Sequence, residues 1–172
     1  DGRALLLALQ ERGSDWRTVR VLDVESGALM PDQVAWVRYS ALAWNHEGNG
    51  FYYARFAAPT EGERDPSFEN QQVWFHTLGT EQAHDRLVYA TPDRPRLLHR
   101  AEVTADGRWL RISSKMGTEQ TAELVLIPLS VPDARPVTLE RGLRNAWQMI
   151  GQLGDRLYFR TDAKAPNGRI VT

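Results

Sequence analysis

The chain has no cysteine. That removes disulfide frameworks, thiolate metal sites and cysteine nucleophiles at once. Helix signals are almost as scarce: residues 141–151, RGLRNAWQMIG, are the one short stretch with helical appearance, and their place in the repeat described below makes them a strand. No apolar run approaches the ~18 residues of a membrane span, and residues 1–15 do not have the build of a signal peptide. Of the 21 basic residues only Lys115 and Lys164 are lysines, and the net charge is −1. The arginine bias reads first as genome composition, and the near-neutral balance gives no electrostatic footprint for nucleic acid or an anionic membrane.

Catalytic patterns are missing too. None of Ser14, Ser26, Ser40, Ser67, Ser113, Ser114 or Ser130 sits in the Gly-x-Ser-x-Gly elbow that exposes a nucleophile, and no Ser-x-x-Lys occurs. His46, His76, His84 and His99 lie on separate turns and strands. His46-Glu47 opens like a zinc-peptidase helix motif, but no second histidine follows at the required spacing and the context is a turn. His76 reads as a hydrogen-bonded structural histidine inside a strand. The glycines of Gly48-Asn49-Gly50 open a strand rather than a helix, so they form a hairpin turn and not a phosphate cradle. The sequence therefore predicts no catalytic residue, no metal site and no cofactor.

What is present is a repeated unit. An Asp/Glu-Gly type turn followed by an alternating apolar strand occurs at Asp1-Gly2-Arg3, Glu47-Gly48-Asn49-Gly50, Asp106-Gly107-Arg108 and Gly154-Asp155-Arg156, with starts 46, 59 and 48 residues apart. A period of that length, with several short strands in each copy, is the mark of a β-propeller. The expected fold is all-β: about three and a half four-stranded antiparallel blades, divided as a partial blade over 1–30, blades over 36–90 and 97–139, and a partial blade over 143–172. The chain opens inside one copy and stops inside another, which predicts a piece of a longer polypeptide. Unpaired sheet at both ends would make self-association a hazard. Residues 57–70, AAPTEGERDPSFEN, read as a long polar loop that accounts for the widest spacing, with Glu61, Glu63, Arg64 and Asp65 at a solvated tip. Most of the aromatics, including all six tryptophans, read as packing between sheets.

Four segments carry a family resemblance along the whole chain. They are ALAWNHEGNGFYYARF (41–56), VWFHTLGTEQAHDRLVY (73–89), AEVTADGRW (101–109) and TDAKAPNGRIV (161–171). They resemble the β-propeller domain of the prolyl oligopeptidases, serine peptidases that cleave after proline. The most specific run is His76 to Thr80 with Asp85 following; Gly50-Phe51-Tyr52-Tyr53 and Ala165 to Arg169 favour the prolyl enzymes over the related oligopeptidase B. The resemblance implies a seven-bladed propeller over an α/β-hydrolase domain of the same parent chain, restricting entry to short proline-containing peptides. It implies substrate-lining roles for Tyr39, within Val37-Arg38-Tyr39-Ser40 where the family has Val-Lys-Phe-Ser, and for Leu98, where the family often has methionine. It also implies that Lys115 faces the cavity where the family carries another basic residue, an exchange from arginine that gives up bidentate recognition. Thr118 stands where a small residue sits nearby. The family's Ser, Asp and His are not among these residues, so the chain alone is expected to be inactive. A non-enzymatic propeller scaffold is the competing class, which the continuation of the gene would decide. The expected compartment is the cytoplasm, with the periplasm as the alternative.

Overall fold

The computed structural model describes residues 2–10, 13–59, 68–132 and 134–172. Those residues form thirteen strands and a single 3-10 turn, Gln82–His84. The first antiparallel sheet runs in chain order through β1 (Ala4–Gln10), β2 (Arg17–Asp23), β3 (Leu29–Trp44), β4 (Gly50–Arg55), β5 (Gln72–Thr77) and β6 (Arg86–Tyr89). The second sheet has β7 (Leu97–Val103), β8 (Trp109–Met116), β9 (Glu123–Pro128) and β10 (Val137–Glu140), again neighbours in sequence. The third pairs β11 (Trp147–Leu153), β12 (Arg156–Thr161) and β13 (Arg169–Val171). Residues 141–151 thus contribute a strand, as their place in the repeat requires, and the fold is the expected all-β one. By contact the chain divides into two compact units, Asp1–Ala101 and Glu102–Thr172, with the division inside β7.

The four repeated turns share one backbone solution. Gly2, Gly48, Gly107 and Gly154 have φ of 76°, 70°, 70° and 56°, a left-handed region that costs glycine nothing. Side chains complete the turns. Asn45 Oδ1 accepts from the backbone N–H of Asn49 and Gly50, at 3.2 Å each. Asp106 Oδ1 accepts from Thr104 Oγ1 at 2.7 Å and from Arg108 N at 3.1 Å. These are the Asx-type contacts that make such residues turn formers.

Alternation then sorts the faces. In β2, Val19 and Val21 point into the core while Thr18 and Arg20 lie on the opposite, half-buried face. Val19, Val21, Val34, Val37, Phe51 and Tyr53 form one cluster, with Leu6, Leu42, Trp44 and Trp74 packed against it. In the second unit Leu110, Ile112, Leu124 and Phe159 are buried. All six tryptophans are half-buried, filling edges of the core with large apolar area.

β3 is the unusual element. Its first half pairs with β2 and its second half with β4, so one 16-residue strand runs through what the sequence presents as two segments. The passage between the two pairings is marked by left-handed φ at two non-glycine residues, Trp36 (60°) and Tyr39 (54°).

Candidate functional site

The β3 irregularity shapes the neighbourhood of Tyr39. Val37 lies opposite Arg55 and Leu42 opposite Tyr53, so residues 38–41 face Ala54 alone. This wide bulge takes Arg38–Ala41 out of the ladder, and substitutes satisfy its polar groups. Ala54 N donates to Ser40 Oγ at 2.7 Å, and Arg38 O accepts from Gln71 Nε2 at 2.7 Å. Tyr39 stands within the bulge, 52% exposed, with the Arg38 guanidinium 4.7 Å from its ring centroid. Bulges re-aim side chains and collect beside functional sites, and strained φ on a non-glycine residue has the same association.

An aromatic floor supports Arg38. Its guanidinium also lies 4.2 Å from the Phe68 ring centroid and 5.7 Å from that of Trp16, and it pairs with Asp15. Trp16 stacks on Phe68 at 5.9 Å and meets Phe56 edge-on at 5.7 Å. Phe56 and Phe68 are themselves 6.2 Å apart, so the base of the long polar loop is closed by aromatic contact. Residues 60–67, with the four charges expected at the loop tip, lie outside the described residues.

Leu98 is half-buried on β7, between the buried Leu97 and His99. Lys115 is half-buried near the end of β8, and Thr118 is exposed in the turn that follows. Tyr39 and Leu98 belong to the first unit, Lys115 and Thr118 to the second. The backbone beside Tyr39 and the backbone beside Leu98 are joined through one side chain. Gln71 donates to Arg38 O and its Oε1 accepts from His99 N at 2.5 Å. Nothing in the sequence marks Gln71, a polar residue at the edge of a polar loop.

The run at His76 is part of a buried polar network. His76 is fully buried; Nδ1 is 2.7 Å from Asp85 Oδ1 and Nε2 is 3.1 Å from Asp32 Oδ1. Asp32 Oδ1 also accepts from Gly79 N at 2.6 Å, and Asp85 Oδ2 from the Tyr53 hydroxyl at 2.5 Å. Gln82 ties the edge, receiving Ala35 N at 2.9 Å and donating to Tyr53 Oη at 3.3 Å. Burial acts to lower the His76 pKa, but the hydrogen bonds and charges of Asp85 and then Asp32 outweigh it, and the net shift is upward. Burial, with the Asp85 carboxylate beside it, raises the Tyr53 phenol far above its ordinary range, so it remains a donor. Each ring nitrogen of His76 lies within hydrogen-bonding distance of a carboxylate, so it is the hydrogen-bonded strand histidine the sequence suggests. Asp32 was legible in principle, because the alternation of β3 puts it on the inward face with Met30 and Val34.

No group of three or more metal-ligating side chains occurs among the described residues. Antiparallel sheets of sequence neighbours built on a repeated turn define a propeller segment. The family model of the prolyl oligopeptidase N-terminal β-propeller domain matches residues 1–172, and the chain belongs to that family. It is 30% identical over 171 residues to a prolyl endopeptidase of Elizabethkingia meningoseptica, covering 99% of this chain and 24% of that one. It is 26% identical over 180 residues to a prolyl oligopeptidase of Omphalotus olearius, covering 95% and 24%. Among solved structures, a prolyl endopeptidase studied for inter-domain dynamics superposes with a TM-score of 0.88 at 37% identity, over 99% of this chain and 24% of that one. The chain thus spans about a quarter of the length of these relatives.

Proposed function

We propose that this segment forms part of the substrate-lining, access-restricting wall of a serine peptidase that cleaves short peptides after proline. Tyr39 carries the reading: a half-exposed aromatic, held at a strained φ in a bulge tied at the Arg38 carbonyl on one side and at the Ser40 hydroxyl on the other. Such a ring offers apolar area to a peptide side chain at little entropic cost. The family membership supplies the peptide, since the relatives are prolyl endopeptidases and oligopeptidases. In this reading Leu98 extends the apolar wall, Lys115 presents a positive charge to the cavity, and Thr118 keeps the adjoining space small. The nucleophile, base and orienting acid belong to an α/β-hydrolase domain of the same polypeptide, which works in the cytoplasm.

The test is kinetic. In the polypeptide that joins this segment to its peptidase domain, Tyr39→Ala should raise KM for a proline-containing fluorogenic peptide about tenfold, the equivalent of one lost apolar side-chain contact. The kcat should stay within about twofold, because a wall residue contributes to ground state and transition state alike. An unchanged KM would overturn the reading.

A further inference from the structure

We infer that Gln71 is the positioning residue that sets Tyr39 and Leu98 relative to one another; the inference rests on the reading of those two residues as substrate-lining. Gln71 is 1% exposed, and both ends of its amide are used between strands. Nε2 donates to Arg38 O, the carbonyl immediately before Tyr39, at 2.7 Å. Oε1 accepts from His99 N, the amide immediately after Leu98, at 2.5 Å. One planar group, with a donor and an acceptor at fixed separation, thereby spans the two backbones that carry the wall. Only the carboxamides of Asn and Gln carry a neutral N–H donor and a C=O acceptor on one planar group, and Asn is one methylene shorter.

Two further contacts fix the backbone on either side of Gln71. Next in the chain, Gln72 enters the β4–β5 ladder opposite Arg55. The preceding Asn70, at φ 60°, donates its N–H to Pro95 O at 2.6 Å. Gln71 is thus held from the β5 side and, through Asn70, from the segment leading into β7. The Arg38 carbonyl, in turn, lies in a bulge where the ladder offers residues 38–41 only Ala54 as an opposite. Without Gln71 that carbonyl would be a polar group lacking its partner, and the bulge would relax to find another. Tyr39, whose φ of 54° is sustained only by what surrounds it, would move with it.

Two substitutions separate the roles of the amide. Gln71→Met keeps the volume and removes both hydrogen bonds. Gln71→Glu keeps both contacts while its buried carboxyl is protonated, but at a pH above its raised pKa the carboxylate still accepts from His99 N and has nothing to donate to Arg38 O. In the peptidase, Gln71→Met should raise KM for a proline-containing fluorogenic peptide roughly five- to tenfold, the equivalent of the one buried hydrogen bond, to Arg38 O, that holds Tyr39 in place, with kcat little changed. The double variant Gln71→Met/Tyr39→Ala should be no worse than Tyr39→Ala alone, since Gln71 acts through the ring. Amide hydrogen exchange should rise at His99 in Gln71→Met and stay protected in Gln71→Glu, while both variants raise KM. A merely structural glutamine would lower the melting temperature and leave KM alone. The inference fails, and the wall reading survives, if Tyr39→Ala raises KM but Gln71→Met does not, or if the two effects multiply. Both fail if Tyr39→Ala is silent. Should Gln71→Met not fold, Gln71→Glu decides on KM by itself, read at the pH where its carboxyl is ionised: a wild-type value there overturns the inference.

Discussion

His76 shows how a single buried side chain can tie two carboxylates from different parts of the chain together. It is buried between Asp32 and Asp85, and Asp32 on β3 in turn accepts from Gly79 N and holds that turn. Removing one partner of a buried ion pair leaves the others uncompensated, which typically costs about 3–5 kcal/mol; His76→Gln should lose that much in urea unfolding. The pH dependence follows from the direction of its pKa. The folded value is raised, so the linked stability is complete below about 6.5, the unfolded value, and is lost as pH rises through the folded value. The urea midpoint of the parent chain should therefore fall between mildly acidic and alkaline pH, and that decline should flatten in His76→Gln. Gly50 offers a second test. A Cβ there would meet His76 O at 2.4 Å and the Phe75 ring at 2.5 Å, so Gly50→Ala should destabilise by about 1–3 kcal/mol or more. Gly151 has open space around its Cβ direction and no left-handed φ. Gly151→Ala should be neutral or stabilising by about 0.4–1 kcal/mol, and thermal denaturation of the pair checks both.

The turns act as elements that join sheets as well as reverse the chain. Arg108 pairs with Asp106 of its own turn and reaches Asp155 of the turn before β12 at 2.8 Å. Gln152 on β11 donates to Asp106 Oδ2 at 2.6 Å. The hydrogen bond from Thr104, followed by the bonds from Arg108 and Gln152, depresses the Asp106 pKa despite partial desolvation. Its linked stability is therefore present above about 3.9, the unfolded value, and lost as pH falls through the lower folded value. Asp106→Asn should lower stability at neutral pH and make the acid limb of the stability profile shallower, as followed by circular dichroism. These turns were the most legible elements of the sequence, because Asp-Gly followed by alternating apolar residues has one physical meaning. The bulge at residues 38–41 was not legible. Val37-Arg38-Tyr39-Ser40 alternates like any strand, and only the change of partner from β2 to β4 shows that β3 must break step. Gln71 was hidden for a related reason: its role lies in two backbone groups distant in sequence, and local pattern carries no trace of them.

At the scale of the molecule, every described strand lies in an antiparallel sheet of sequence neighbours, and in the first unit the buried Asp32, Gln71 and His76 tie strands and turns together. The propeller family membership and the repeated turns explain one another. What the segment contributes to peptide hydrolysis, in the account proposed, is a wall and not a reaction. The most direct check is to incubate the purified 172-residue chain with a proline-containing fluorogenic peptide and, separately, with a fluorophosphonate serine-hydrolase probe. The account predicts neither turnover nor labelling; turnover that the probe abolishes would contradict it.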